Sequence, residues 1–255
     1  MSHRYAAVLL LAASCAAPKE MPKPADTTAA MTPAPAAPAG PQAIVTVFYK
    51  QPKNPAAFEK YYPTHLKIVS DAQAEIGFTK AELTRFSTKL DGTKPTFYRQ
   101  AELYFPSMDA LQKGIKTAAF AKVGEDFKNF VAPDGLVGLI AEETGETGEA
   151  ACPALVTVIY NTPKDAAAFE AYYPKHVDLV GAGKAEIGFV RADLTKFQSN
   201  LDGSAPALYR QAELCFDSME ALKKGLSSTG FMNVSHDFPN FVGPDGMIGL
   251  IGTQQ

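Results

Sequence analysis

The chain is poor in the residues that mark several common protein classes. Its 255 residues include no tryptophan and three cysteines, which are too few for a disulfide scaffold and lack the spacing of a zinc site. Basic residues (24) do not exceed acidic ones (27), and the net charge of −3 argues against a nucleic-acid-binding protein. No apolar run reaches the roughly 18–20 residues of a transmembrane helix. With 46% apolar and 20% charged residues, the composition is globular.

Motifs of the common enzyme classes are also missing. The sequence has no phosphate-binding loop, nucleophile elbow or cluster of metal-ligand residues. The sequence therefore predicts neither a bound metal nor a cofactor.

The N-terminal sequence predicts export. Arg4 precedes an apolar run, Ala6 to Ala13, that is too short to span a bilayer. The following Leu11-Ala12-Ala13-Ser14-Cys15 resembles a bacterial lipoprotein signal. The resemblance implies a signal peptide over residues 1–14 and a lipid on Cys15, which anchors the chain on the periplasmic side of the envelope, at the outer membrane. An ordinary secretory signal is the alternative.

Residues 15–42 are rich in Pro, Ala and Thr and contain no periodic apolar pattern. Such a segment cannot bury enough apolar surface to offset the entropy of ordering it, and Pro-rich chain favours extended conformations. We interpret it as a tether between the anchor and a folded body.

The rest of the sequence is one segment written twice. Val45 to Ile140 aligns with Val156 to Ile251 at a constant offset of 111 residues, without a gap, and well over half of the aligned positions are identical. We therefore assign repeat 1 to residues 43–142, an acidic linker to 143–153 and repeat 2 to 154–253. Two copies of about 100 residues indicate two domains of one fold rather than a solenoid.

Each repeat predicts the element order β-α-β-β-α-β. Strands are expected at Ile44–Tyr49, Lys80–Leu90, Phe97–Phe105 and Leu136–Ile140. The first helix follows Asn54-Pro55, and Pro63 is expected to kink or divide it. This order is ferredoxin-like, with helices on one face of the sheet only. The sheet of the second repeat can cover the other face. We therefore expect an α+β fold in which two ferredoxin-like repeats pack sheet to sheet as an intramolecular pseudo-dimeric barrel.

Three segments of both repeats resemble the EthD family of the dimeric α+β barrel superfamily. In repeat 1 they are Phe58-x-x-Tyr61-Tyr62-x-x-His65, Ala101-Glu102-Leu103-x-Phe105-x-Ser107-Met108 and Asn129-Phe130. The resemblance covers residues 43–253 and implies the barrel fold, with a cleft between sheet and helices. It associates the chain with ring-modifying pathways, ether degradation and, in relatives, cyclase or dehydratase chemistry.

His65 and His176 are the candidate acid–base residues. They occupy equivalent positions in the two repeats, and on a helix each shares a face with the tyrosine four residues earlier. Imidazole titrates near neutral pH, as a general base or acid requires. A buried neutral histidine with a structural hydrogen bond is the alternative. A haem axial ligand, which the superfamily resemblance allows, is a third interpretation.

The strand Tyr98-Arg99-Gln100-Ala101-Glu102-Leu103 recurs unchanged in repeat 2. Alternation along a strand predicts that Tyr98, Gln100 and Glu102 face the barrel interior, whereas Arg99 falls on the otherwise apolar face. A partly buried Glu102 or Glu213 would have a raised pKa and could carry protons as the partner of the histidines. A hydrogen-bonded network across the seam between the repeats is the alternative.

The expected ligand-binding residues come in pairs from the two repeats. They are Thr46 and Thr157, Phe48 and Ile159, Tyr61 and Tyr172, Tyr62 and Tyr173, Tyr98 and Tyr209, and Gln100 and Gln211.

Cys152 lies just before the first strand of repeat 2 and Cys215 on its third strand, and these two strands are neighbours in this fold. An oxidising compartment favours a disulfide between them, and two free thiols are the alternative.

Two functions fit these residues. The first is an exported barrel that binds a small apolar or aromatic ligand at two equivalent sites. The second is a cofactor-independent lyase, cyclase or isomerase that uses His65 and His176.

Overall fold

The computed structural model describes residues 41–145 and 152–255. The predicted signal peptide, the predicted tether up to residue 40, which includes Cys15, and the middle of the predicted linker lie outside these residues. Within the described ranges, no helix combines the length and the apolar character needed to cross a membrane.

Both repeats have the predicted order of strands and helices. Repeat 1 comprises β1 (Ala43–Lys50), α1 (Pro55–Asp71), α2 (Gln73–Ile76), β2 (Lys80–Lys89), β3 (Phe97–Phe105), α3 (Met108–Gly114), α4 (Ala118–Asp126) and β4 (Leu136–Glu143). Repeat 2 comprises β5 (Ala154–Asn161), α5 (Ala166–Ala182), α6 (Lys184–Ile187), β6 (Arg191–Asn200), β7 (Leu208–Phe216), α7 (Met219–Leu226), α8 (Thr229–Asp237) and β8 (Met247–Gln254). A 3-10 turn follows α4 and another follows α8, at Phe127–Asn129 and Phe238–Asn240. Strand β4 thus extends slightly into the segment assigned to the linker.

The eight strands form one closed antiparallel barrel in the order β1-β3-β2-β8-β5-β7-β6-β4. The two repeats are joined by hydrogen bonds at both sheet edges, where β2 pairs with β8 and β4 pairs with β6. The predicted intramolecular barrel is confirmed. Closure leaves no unpaired sheet edge for another chain to extend.

The helix starts follow the sequence closely. The side chain of Asn54 accepts a hydrogen bond from the backbone N–H of Ala57, and Asp165 caps α5 in the same way. Helix α1 runs through Pro63 to Asp71 without interruption, so the expected division does not occur. Phe58 and Tyr62 before the proline and His65 after it are all buried, and this shared buried face holds the two halves in one helix.

The sheet separates two kinds of core. Between sheet and helices, each repeat has its own apolar core, built around Phe58 and Tyr62 in repeat 1 and Phe169 and Tyr173 in repeat 2. Inside the barrel, a third apolar cluster draws on both repeats and contains Phe48, Phe86, Phe97, Ile159, Phe197 and Leu208, among others. The interior also holds buried polar side chains, which include Thr46, Gln100 and Glu102.

The strand alternation breaks at Tyr98, which corrects one prediction. In the pairing of β1 with β3, Tyr49 lies opposite Arg99 but Lys50 lies opposite Phe97, so Tyr98 is the extra residue of a β-bulge. Tyr98 and Arg99 therefore both face the helices. The same register shift places Tyr209 on the helix side in repeat 2.

Cys152 and Cys215 form a disulfide, with their Cα atoms 5.0 Å apart. The bond ties Cys152, two residues before β5, to the neighbouring strand β7. The equivalent strand position in repeat 1 is Tyr104, so this crosslink exists in one repeat only.

Candidate functional site

Each repeat has an apolar cleft between its helices and the outer face of the sheet. Cleft 1, in repeat 1, has a volume of about 360 Å³, and cleft 2, in repeat 2, about 580 Å³. Both volumes lie in the range of small-molecule sites. Equivalent residues line the two clefts, chiefly Val45, Val47, Leu103, Leu66, Phe120 and Val123 in cleft 1 and Val156, Val158, Leu214, Val177, Phe231 and Val234 in cleft 2.

One histidine lines each of these largely apolar clefts. His65 lines cleft 1 and His176 lines cleft 2, with 2% and 3% of their surfaces exposed. The Nδ1 atom of His65 lies 2.9 Å from Oδ2 of Asp126, and that of His176 lies 2.8 Å from Oδ2 of Asp237. An ionised carboxylate only accepts hydrogen bonds, so Nδ1 carries the proton. Nε2 is then the acceptor, and it makes no hydrogen bond within the described residues.

The aspartate of each pair is itself held by two donors. The hydroxyl of Tyr61 donates to Oδ1 of Asp126 at 2.8 Å, and Nδ2 of Asn129 donates to the same oxygen at 2.8 Å. In repeat 2, Tyr172 and Asn240 donate to Asp237 at 2.7 and 2.9 Å. We call these groups the His–Asp pairs.

Burial and hydrogen bonding set the charges of a His–Asp pair. Burial lowers the pKa of His65, and Asp126 opposes this effect without cancelling it. Burial alone would raise the pKa of Asp126, but the hydrogen bonds from His65, Tyr61 and Asn129 outweigh it, so this pKa lies below its usual value. Near neutral pH the pair is therefore a neutral imidazole against an ionised carboxylate. Such a pair offers the cleft a proton acceptor.

Aromatic rings fix the orientation of each imidazole. The ring of His65 lies 4.8 Å from that of Phe127 and 4.9 Å from that of Phe130, measured between centroids. These phenylalanines belong to the segment Asp126-Phe127-x-Asn129-Phe130, which recurs as Asp237-Phe238-x-Asn240-Phe241. The sequence analysis missed Asp126 and Asp237. The repetition of this five-residue pattern is the signal that would have identified them.

Glu102 and Glu213 do not lie beside the histidines. They face the barrel interior, on the opposite side of the sheet from the clefts, where they are 2% and 3% exposed. Gln211 donates to Glu102 at 3.1 Å from the other repeat, and Thr157 donates to Glu213 at 2.9 Å. The expected pairing of these glutamates with His65 and His176 is therefore replaced by a network that crosses the seam, and the aspartates take the place beside the histidines.

The interior glutamates belong to a buried acidic network. Burial raises the pKa of Glu213 to about 8, with further contributions from the charges of Asp193 and Glu82. Burial likewise raises the pKa of Glu102 well above its usual value and that of Asp193 to about 6. Arg191 lies 2.8 Å from Asp193 and 3.4 Å from Glu82 and offsets part of the negative charge. Across residues 41–145 and 152–255, no group of three or more His, Cys, Asp or Glu side chains is arranged to hold a metal ion.

The remaining candidate residues divide between three places. Those inside the barrel are Thr46, Thr157, Phe48, Ile159, Gln100 and Gln211. Tyr61 and Tyr172 hold the aspartates, and Tyr173 lines cleft 2. Tyr62, Tyr98 and Tyr209 pack between helix and sheet, where the guanidinium of Arg99 lies 4.6 Å from the ring of Tyr62.

An ion-pair cluster fixes the first helix of each repeat above the sheet. Arg99 donates to Glu59 at 2.7 Å, and Arg210 donates to Glu170 at 2.7 Å. Burial works against ionisation of Glu170, but Arg210, Lys196 and Tyr209 together lower its pKa to about 2. Because Glu170 and His176 share α5, this cluster also positions the histidine.

Comparison with known proteins identifies the family to which the chain belongs. The EthD domain family matches residues 50–134. An uncharacterized 11.0 kDa protein in the thcB-thcC intergenic region of Rhodococcus erythropolis is 36% identical over 87 residues, which are 34% of this chain and 81% of the relative. The chain belongs to the EthD domain family. The residues matched in this EthD-domain protein include His65 and Asp126 of the first His–Asp pair, and Asn129, which donates to Asp126.

Solved structures extend the likeness to both repeats. An anthrone oxidase-like protein is 14% identical, with a TM-score of 0.59, and the match covers 84% of this chain and 91% of that one. A putative monooxygenase from Fusobacterium nucleatum is 11% identical, with a TM-score of 0.53 and coverages of 84% and 92%. At these identities the likeness establishes the α+β barrel fold and nothing finer.

Proposed function

We propose that this EthD-domain protein binds a small, largely apolar molecule with one hydrogen-bond donor in each of its two clefts. One observation carries the proposal: in both repeats, a buried imidazole fixed by an aspartate lines a largely apolar cavity. The apolar walls favour a hydrocarbon skeleton, and Nε2 is placed to accept one hydrogen bond from it. A phenol or an enol has this chemistry.

Isothermal titration of the full chain with 2-naphthol tests the proposal. We expect two sites per chain. His65→Asn and His176→Asn should each weaken one site about tenfold, since a buried hydrogen bond is lost, and should leave the other site as an internal reference. Thr46→Val is the matched control, because this buried hydroxyl lies inside the barrel and has no hydrogen-bond partner among residues 41–145 and 152–255. Equal affinities in the histidine variants and the wild type would refute the role of the His–Asp pairs.

The His–Asp pairs also favour a second candidate, acid–base catalysis without a cofactor. Nε2 would take a proton from an acidic C–H or O–H group of the ligand, and the adjacent carboxylate would stabilise the imidazolium that forms. The reaction would then be that of a lyase, a cyclase or an isomerase. Deuterium exchange into 2-tetralone in D₂O, followed by NMR, measures such proton abstraction directly.

The aspartate variants separate catalysis from binding. In a protein with Asp126→Asn and Asp237→Asn, we expect exchange to slow at least about tenfold while 2-naphthol still binds, because Nε2 remains an acceptor but loses its stabilising carboxylate. Exchange no faster than in buffer with the wild-type protein would leave binding as the function.

We propose, finally, that the protein acts at the bacterial outer membrane, on the periplasmic side, as a lipid-anchored protein. The support is the lipoprotein-like sequence that ends at Cys15. Cells fed an alkyne fatty acid should label the wild-type protein, and Cys15→Ser should abolish the label. Equal labelling of both proteins would overturn the anchor.

A further inference from the structure

The two clefts differ in volume, although the two repeats are similar in sequence. Cleft 2 encloses about 580 Å³ against about 360 Å³ for cleft 1, although most of their wall positions are equivalent. Leu201 also lines cleft 1, and Thr144 and Gly145 also line cleft 2. At the shared positions, a small number of substitutions contribute to the difference in volume.

Two of these substitutions lie on the first helix of each repeat and act in the same direction. Leu66 of cleft 1 corresponds to Val177 of cleft 2, and Ser70 corresponds to Gly181. Each change removes heavy atoms from the wall of cleft 2.

Gly181 is not required by the packing of the protein. It lies in the last turn of helix α5, and glycine has a lower helix propensity than alanine. A Cβ atom at this position would meet no other atom within 4 Å. No neighbouring element occupies the space beside Gly181, which is exposed and belongs to the lining of cleft 2.

Charge does not distinguish the clefts in the same way. Asp178, Lys184 and Arg191 line cleft 2; the first two have opposite charges, and Arg191 is paired with Asp193 at 2.8 Å. Lys80 lines cleft 1 but is paired with Glu82 at 3.0 Å. Size is thus the property that the substitutions change.

We infer that cleft 2 accepts a bulkier polycyclic ligand than cleft 1, and that Val177 and Gly181 set this difference. The inference rests on the proposed function, since it names the ligand class of the same sites. The protein would then have two binding sites of different specificity rather than two copies of the same site.

Titration of the full chain with two phenols of different size tests the inference. We expect 2-naphthol to bind both clefts and 1-hydroxypyrene to bind one cleft at least about tenfold more tightly than the other. His176→Asn should weaken the tighter pyrene site, which identifies it as cleft 2.

Reciprocal exchange of the wall residues provides the matched variants. Val177→Leu with Gly181→Ser should weaken the tight pyrene site at least about tenfold and leave 2-naphthol binding within about threefold. Leu66→Val with Ser70→Gly should create a second tight pyrene site. Each double variant introduces residues that the other repeat already has at the same positions. If one double variant fails to fold, the other still tests the inference.

The outcomes separate this inference from the proposed function. Two pyrene sites of equal affinity in the wild type, or no change in either exchange variant, would overturn the size difference while 2-naphthol binding stands. Absence of binding by both phenols would overturn the proposed function, and the inference with it.

Discussion

The Nδ1 atom of His65 is committed to Asp126, so Nε2 is the atom left for a ligand. Because burial lowers the pKa of this histidine, the fold favours the neutral ring that accepts a hydrogen bond. Protonation as the pH falls removes that acceptor. Ligand affinity should therefore be retained above the pKa of the folded histidine and be lost below it.

Asp126→Asn tests the electrostatic part of this argument. The carboxylate raises the pKa of His65 against the larger effect of burial, so its removal should lower this pKa further. The loss of charge-assisted hydrogen bonds should also cost about 1–2 kcal/mol of stability. NMR titration of the imidazole protons measures the pKa, and His176 in the same sample is the control. A pKa of His65 that rises or stays unchanged would contradict the assignment.

The sequence could identify the histidines but not their partners. His65 and His176 stand out because both repeats keep them in a chain that has only four histidines. Asp126 lies 61 residues from His65, on another helix, and no spacing rule joins two such positions. Glu102 lies on a repeated strand and faces the barrel interior, as alternation predicts, but His65 lines the cleft on the opposite face of the sheet.

At the level of elements, the sequence predicts the strands and helices well and their irregularities poorly. The caps at Asn54 and Ser107 and the apolar periodicity are local signals, and the structure has a helix at each. The bulge at Tyr98 arises from the pairing of β3 with β1 and leaves no local trace. The continuity of α1 through Pro63 likewise depends on tertiary packing.

Close packing of α3 against α2 depends on one glycine. A Cβ atom on Gly114 would collide with the carbonyl oxygen of Ile76 and lie 2.9 Å from Cε1 of Phe105. Gly114→Ala should therefore destabilise the protein by about 1–3 kcal/mol, as other overpacked sites do. Gly124→Ala is the matched control, because nothing lies within 4 Å of the added atom, and it should stabilise by about 0.5–1 kcal/mol. Urea unfolding measures both values, and equal effects of the two variants would refute the packing argument.

The barrel as a whole follows from the duplication. One ferredoxin-like sheet leaves a face uncovered, and a second copy in the same chain supplies the cover. The polar composition of the barrel interior cannot be predicted from the duplication. Glu102, Glu213 and Asp193 become buried together because closure brings both repeats around one axis, and each sequence segment alone is compatible with a half-exposed strand. The interior network is therefore a property of the closed molecule.

This network predicts that stability falls as the pH rises. Burial raises the pKa of Glu213 from 4.5 to about 8, so between these values the folded state holds a proton that the unfolded state has released. Stability from this group is complete below pH 4.5 and is lost as the pH rises toward 8. His65 and His176 act in the opposite direction below pH 6.5, because their pKa values are lowered, so a variant of the glutamate is needed to isolate its contribution.

Glu213→Gln removes this titration and keeps an oxygen that can accept the hydrogen bond from Thr157. At pH 8.5 we expect the variant to melt about 5 °C above the wild type, or about 1–2 kcal/mol, because an ionised buried carboxylate is replaced by a neutral amide. At pH 4, where the carboxyl is neutral in the folded and in the unfolded protein, the two proteins should melt within about 1 °C of each other. Scanning calorimetry at both pH values makes the measurement, with the exposed Glu220→Gln as the control. If Glu213→Gln shifts the melting temperature equally at both pH values, the glutamate is not the group that couples the closed barrel to pH.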